Sequence, residues 1–205
     1  LLETKVLDFF GITTITAGML VFPISYIIND CIAEVWGFRR ATLVIWIAFA
    51  MNFMVAAVGL LAVHLPAAPY WEGTEHFNFV FGFAPRIMSA SLLAFLAGSF
   101  ANAYIISRMK IIHKGRYFSL RAIVSTVAGE SIDSVIFFPI AFGGIIEFRD
   151  LIGLMLTQII MKSMYEVVVL PVTIRLVRRF KRMEDLDVYD EGISYNVLNV
   201  VDNND

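Results

Sequence analysis

The sequence predicts an all-α polytopic membrane protein, and two observations lead to that prediction. Of the 205 residues, 59% are hydrophobic, and the mean hydropathy is +0.75. The apolar runs are long enough for helices that cross a bilayer, which takes roughly 20 residues. They do not show the alternating segments of about ten residues that are typical of an outer-membrane barrel.

Five complete membrane-spanning helices are predicted in one domain over residues 1–182. In order, they cover about residues 12–36, 41–65, 86–109, 121–142 and 150–177. Gly37 ends the first of them, and a loop rich in Pro, Gly and aromatic residues over about 66–85 follows the second. Residues 1–11 look like the end of a further helix whose start is missing, so we expect a six-helix bundle. Residues 183–205 predict an acidic, solvated tail.

The basic residues predict the orientation of the bundle. Lys and Arg are concentrated in the turn at Arg39 and Arg40, in the connection from Arg108 to Arg121, and after the last helix. Because basic loops stay on the cytoplasmic side, we expect these connections and the C-terminus to be cytoplasmic. The predicted location is therefore the bacterial inner membrane.

Six ionisable residues lie inside the predicted spans and form three helical pairs. The pairs are Asp30/Glu34, Glu130/Asp133 and Lys162/Glu166. Spacings of three or four residues place each pair on one face of its helix. Measured from the nearest basic residue, the six groups lie about 8–20 Å into the membrane, which puts all three pairs in one layer. Charges at such depth are costly and usually serve a polar interior, so a site is expected there.

Each polar residue also has a structural interpretation. The acids can form an ion-pair network that holds helices together, with Lys162 paired most simply to Glu166. One lysine cannot neutralise five carboxylates, which favours a ligand for Glu130 and Asp133. Glu34 is shallow enough to meet cytoplasmic water or Arg39 and Arg40. The polar face around Asn102 either lines a cavity or packs helices closely.

Two prolines lie above the charged layer, about 24–27 Å from the cytoplasmic end. Pro23 and Pro139 each follow a phenylalanine in a Phe-Pro-Ile triplet. Kinks at these positions would suit a cavity that opens outward, with the charges at its floor. The alternative is that proline is simply common in transmembrane helices.

The chemistry of the predicted site favours a flat heterocycle over a metal ion. A lone cysteine and three scattered histidines give no metal-ligand spacing, and no cofactor motif is present. A carboxylate can accept two parallel hydrogen bonds from a guanine-like ring N–H and amine. Aromatic faces can stack the ring, and Asn or Lys can bind its carbonyl.

The sequence resembles the YhhQ family of queuosine precursor transporters, within the vitamin uptake transporter group. Three runs carry the resemblance: FPISYIINDCIAEVWGFRRA, GSFANAYIISRMK and GRYFSLRAIVSTVAGESIDSVIFFPIAFGG. It implies six helices arranged as in energy-coupling-factor S-components. It also implies inward transport of 7-cyano- or 7-aminomethyl-7-deazaguanine. The implied substrate-binding residues are Asp30, Glu34, Asn102, Glu130, Asp133, Lys162 and Glu166.

Two other functions compete with this interpretation. A proton- or cation-coupled carrier of another heterocycle or vitamin would use the unneutralised acids as a relay. An intramembrane enzyme would use Glu130 and Asp133 as an acid–base pair. The enzyme is disfavoured because GxSxG, HExxH and a histidine in the charged layer are all missing. No nucleotide-binding motif is present, so separate subunits would supply any ATP drive, and the short cytoplasmic loops do not favour them. No nucleic-acid partner is expected.

Overall fold

The computed structural model describes residues 6–9, 13–16, 22–81 and 85–198. Helices cover most of these residues, as the sequence predicts for an all-α membrane protein. They are α1 (Phe22–His64), α2 (Thr74–Phe81), α3 (Pro85–Ile112), α4 (Phe118–Phe142) and α5 (Phe148–Glu184). Two short strands, β1 (Val6–Phe9) and β2 (Thr13–Thr16), precede them.

The two strands correct the predicted start of the chain. β1 and β2 pair antiparallel, with Val6 opposite Thr16 and Phe9 opposite Thr13. Helix is therefore not found at residues 6–9 of the predicted helix end over 1–11 or at residues 13–16 of the predicted span 12–36, while residues 1–5 and 10–12 lie outside the described residues. The physical reason is local, since threonine, valine, isoleucine and phenylalanine favour a pleated strand over a helix.

α1 consists of two helical segments that meet at Gly37. A straight helix of 43 residues would be about 64 Å long, roughly twice the hydrocarbon thickness of a bilayer. Gly37 has φ 82° and ψ 177°, a left-handed conformation that interrupts the helix. The predicted boundary between the first two spans is therefore confirmed at Gly37. Pro23 falls in the first described turn of α1, so a kink in mid-helix is not described there.

α2 lies within the predicted loop after the second span. Phe77 and Phe81 stack with ring centroids 4.6 Å apart on one face of this short helix. Phe81 also covers Gly59 of α1, where an added Cβ would lie 2.2 Å from the phenylalanine ring. This close contact holds α2 against α1 and explains how a short helix forms where the turn residues predicted only a loop.

α3 packs most extensively against α4, and the next largest contacts join α1 to α3 and α4 to α5. Pro139 lies inside α4, and Pro171 lies inside α5. Arg86 at the start of α3 donates hydrogen bonds to the carbonyls of Ile140 and Gly143 (2.6 Å to Gly143), which satisfies the end of α4.

Three helical stretches of the described chain are long and apolar enough to cross a membrane: Ile27–His64, Arg86–Ile112 and Phe118–Phe142. α5 is long enough but less apolar, and the predicted span at 150–177 is not among them. The second segment of α1 exposes large apolar side chains such as Ile47, Phe53 and Leu61. Such a surface suits a lipid surrounding.

Residues 187–197 pack against the bundle, which corrects this part of the solvated tail predicted over 183–205, while residues 199–205 lie outside the described residues. We call residues 187–197 the strap. Trp46 Nε1 donates to the Val197 carbonyl at 2.8 Å, and the Tyr195 ring lies 4.9 Å from that of Phe38. Ile193, Tyr195 and Val197 pack against a buried cluster of α1 and α3 side chains. The strap lies across the end of the bundle that contains Arg121 and Lys181, which we call the basic end.

Candidate functional site

Lys162 joins α4 to α5 inside the bundle. Its ammonium lies 2.9 Å from Glu130 Oε2 and 3.6 Å from Asp133 Oδ2. The two acids are three residues apart on α4, so both carboxylates reach the same cation. The structure therefore brings the predicted Glu130/Asp133 pair together and gives it a partner on the neighbouring helix.

Asp30 faces α3 and has one hydrogen-bonding partner there. Asn102 Nδ2 donates to Asp30 Oδ1 at 2.7 Å. Both residues are fully buried, and Asp30 is 0% exposed. Asp30 Oδ2 and Asn102 Oδ1 have no hydrogen-bond partner among the described residues. Each member of this hydrogen-bonded pair at the α1–α3 contact thus keeps one buried acceptor atom that no described residue uses.

Glu166 of α5 is an acid with both acceptor oxygens unused, and one oxygen of Glu34, Oε2, also has no hydrogen-bond partner among the described residues. Glu166 is 2% exposed, and neither of its carboxylate oxygens accepts a hydrogen bond from the described part of the chain. The expected hydrogen-bonded pairing of Lys162 with Glu166 is therefore not found. Lys162 instead contacts the acids of α4.

Glu34 lies in a different environment from the other acids. Its Oε1 receives hydrogen bonds from Arg121 Nη2 at 2.9 Å and Lys181 Nζ at 2.7 Å, and Lys110 Nζ lies 3.9 Å away. We call these four residues the Glu34 cluster. The cluster joins α1, α3, α4 and α5, and Glu34 is buried, so the expected contact with cytoplasmic water is not found.

The strap completes the Glu34 cluster. Asp187 accepts from Lys110 at 2.6 Å and from Lys181 at 2.7 Å. Burial alone would raise the pKa of Asp187, but these two hydrogen bonds and positive charges outweigh burial and lower the pKa from its ordinary value. The Asp187 carboxylate therefore stays charged at neutral pH and balances part of the positive charge of the cluster.

The strap also satisfies the backbone at the break in α1. Asp190 Oδ2 accepts from the Phe38 N–H at 2.9 Å and from Ser107 Oγ at 2.5 Å. Val188 N donates to the Val35 carbonyl at 3.2 Å, and Lys110 Nζ donates to the Glu34 carbonyl. The backbone N–H and carbonyl groups at a helix end have no partner within the helix. At a break inside a bundle, other segments of the chain must therefore supply their hydrogen bonds.

The sequence pattern does not reveal the partners in this region. It predicts Lys110, Arg121 and Lys181 only as basic residues that set orientation, and Asp187 and Asp190 as part of a solvated tail. The sequence feature that could indicate these partners is the shallow depth of Glu34, which places it within reach of the basic connections. For metal ions, the described residues contain no group of three His, Cys, Asp or Glu side chains that could hold one.

The apolar helices and the buried polar groups between them define a multi-pass helical membrane protein with a polar interior. Residues 16–176 match the model of the family described as "Putative vitamin uptake transporter", and the chain belongs to that family. The family is one of transporters and not an enzyme class, and small-molecule transport is what its description states.

Two curated relatives support the resemblance to queuosine precursor transporters. The "Probable queuosine precursor transporter" of Bacillus subtilis (strain 168) is 30% identical over 146 residues, which are 69% of this chain and 62% of the relative. The "Queuosine precursor transporter" of Escherichia coli (strain K12) is 28% identical over 130 residues, 62% of this chain and 55% of the relative. The chain thus spans roughly three fifths of the curated relatives it matches. No solved structure matches.

Proposed function

We propose that this chain takes up queuosine precursors, the bases 7-cyano- and 7-aminomethyl-7-deazaguanine, across the bacterial inner membrane. The observation that carries the proposal is the set of buried acceptor atoms at Asp30, Asn102 and Glu166. An acid buried without a partner is costly, and it persists where a ligand uses it. The names of the two relatives supply the ligand class.

The acceptor atoms suit the edge of a guanine-like base. Its ring N–H and exocyclic amine can donate in parallel to one carboxylate, Asp30 or Glu166, while Asn102 can bind a further polar group. Lys162, held by Glu130 and Asp133, supplies a donor for the ring carbonyl. We assign Glu34 to the packing of the basic end, because three cations already lie within 4 Å of its Oε1.

The finer architecture is part of the same proposal. Six spans with both ends in the cytoplasm, arranged as in energy-coupling-factor S-components, would place the basic end inside the cell. The Glu34 cluster and the strap would then lie at the cytoplasmic face. The short predicted cytoplasmic loops favour a transporter that works without separate energising subunits.

An uptake assay tests the proposal. We expect cells that express the chain to accumulate radiolabelled 7-cyano-7-deazaguanine, and the Asp30→Asn and Glu166→Gln variants to lose about 10- to 100-fold of this activity. The Glu130→Gln and Asp133→Asn variants should also fail, because they release Lys162. Glu191→Gln, an exposed acid, is the matched control and should transport normally.

Binding to the detergent-purified protein separates recognition from transport. We expect 7-cyano-7-deazaguanine to bind and guanine to compete poorly, and Glu166→Gln to weaken binding. Normal uptake by both Asp30→Asn and Glu166→Gln would remove these acids from the site.

The excess of acids over lysine in the interior favours one alternative, a proton- or cation-coupled carrier of another heterocycle or vitamin. Lys162 contacts Glu130 and Asp133, and Asp30 and Glu166 are two further buried acids. Uptake of another heterocycle, driven by an imposed proton gradient and not inhibited by 7-cyano-7-deazaguanine, would favour this alternative.

A further inference from the structure

The buried acceptors of the proposed site are closed off toward the basic end by Glu34. Asp30 and Glu34 are four residues apart, so they share one face of α1 and are separated by about 6 Å along it. Asp30 is 0% exposed and Glu34 is buried as well. A ligand that leaves Asp30 toward the basic end must therefore pass the Glu34 cluster.

The Glu34 cluster ties all four long helices together at one point. Lys110 comes from α3, Arg121 from α4 and Lys181 from α5, and each of them reaches the same carboxylate oxygen. While these contacts are in place, the helices cannot separate at the basic end.

The strap contacts two of the same cations, Lys110 and Lys181, from the solvent-exposed side of the cluster. Asp187 bridges Lys110 and Lys181, and it is the accessible member of the network, with a side chain that is 43% exposed. Asp190 holds the strap to α1 and α3 through Phe38 N and Ser107. Ion pairs and hydrogen bonds to a partly exposed carboxylate are modest in strength, because water can replace them.

We propose that the Glu34 cluster and the strap form a gate that closes the basic end of the bundle and opens when Asp187 leaves Lys110 and Lys181. The gate rests on the proposed transport function, since it is the barrier that a bound ligand would cross to leave the site. Glu34 and Asp187 both contact Lys110 and Lys181, and this shared ion-pair network holds the gate closed.

Cys31 is the single cysteine of the chain, so its chemical modification can measure the opening of this gate without an introduced cysteine. It is buried between α1 and α5 in a cluster with Val35 and Val177, directly after Asp30 in the chain and about one turn before Glu34. Separation of α1 from α5 at the basic end would expose the thiol. The measurement is the rate at which a small water-soluble methanethiosulfonate reagent modifies Cys31 in the detergent-purified protein.

We expect the Asp187→Asn and Lys181→Gln variants to be modified about fivefold faster than the wild type. Glu191→Gln, an exposed acid on the same strap, should match the wild type. Arg86→Gln is the second control, because it weakens the contact of α3 with the end of α4, far from the gate. It should also leave the rate unchanged.

Two results would overturn the gate. One is an unchanged rate in both Asp187→Asn and Lys181→Gln. The other is an equal increase in Arg86→Gln, which would mean a general loosening of the bundle. Failure of the proposed function would appear separately, as an absence of deazaguanine uptake by the wild-type chain, and would leave the labelling rates as they are.

Discussion

Buried acids of the same chemistry have different roles in this protein, and their partners distinguish them. Glu34 meets three cations, whereas the oxygens of Glu166 accept no hydrogen bond from the described residues. Removing one partner from a buried ion cluster leaves the other charges uncompensated and is strongly destabilising. Removing the charge of an acid without a partner takes away a desolvation cost.

Neutralising these two glutamates should therefore have opposite effects on stability. We expect Glu34→Gln to lower the free energy of unfolding by about 3 kcal/mol. Glu166→Gln should leave stability unchanged or slightly raised. Thermal unfolding of the two detergent-purified variants, each compared with Glu191→Gln, measures the difference. Equal losses in both variants would contradict the separation of a packing acid from a ligand-binding acid.

The sequence predicted the ionisable residues of the interior but not all of their partners. Spacing along one helix correctly placed Glu130 and Asp133 on a shared face. The same rule paired Lys162 with Glu166, whereas Lys162 contacts the two acids of α4. Contacts between helices depend on how the helices rotate and cross, and spacing within one helix does not contain that information.

At the scale of elements, the break in α1 is the feature that the sequence predicted best. Gly37 followed by two arginines indicated a boundary, and the left-handed φ of Gly37 supplies its geometry. What the sequence did not indicate is how the broken backbone is satisfied. The Phe38 N–H is bonded by Asp190, which lies 152 residues further along the chain. The strands β1 and β2 were not predicted. The residues around them are apolar and suggest a helix, although the β-branched residues within them favour a strand.

Gly37 should therefore tolerate no side chain. A Cβ at this position would lie 2.6 Å from Asp190 Oδ1, and its φ of 82° is unfavourable for any other residue. We expect Gly37→Ala to lower the free energy of unfolding by about 2 kcal/mol and to displace the strap. Thermal unfolding measures the loss, and faster proteolysis of the chain after Glu184 measures the displacement.

Gly153→Ala in α5 is the matched control for this substitution. Nothing lies within 4 Å of a Cβ at Gly153, and its φ is in the ordinary range. We expect that variant to be as stable as the wild type or slightly more stable, because alanine favours the helix. A loss in Gly153→Ala equal to that in Gly37→Ala would refute the role assigned to the break.

At the scale of the whole molecule, the two ends of the bundle differ in charge and in construction. Basic residues and the strap lie at one end. The connections at the other end carry Glu72, Glu75, Glu147 and Asp150, with Arg86 and Arg149. Composition and hydropathy were sufficient to predict this division and the membrane class. The docking of the strap was not predictable, because its acidic, Asn-rich sequence resembles a solvated tail until its partners on α1, α3 and α5 are known.

The charge difference predicts which end faces the cytoplasm. Basic connections are retained inside, so the strap should be cytoplasmic and the connection around Glu72 should lie outside. In a Cys31→Ala background, we expect the Glu72→Cys variant to react with a membrane-impermeant maleimide on intact spheroplasts. The Glu191→Cys variant should react only after the membrane is permeabilised, because that side chain is exposed but on the inner face. Labelling of the Glu191→Cys variant on intact spheroplasts would contradict this orientation. The gate would then lie at the outer face, where it would control entry of the ligand instead of its release.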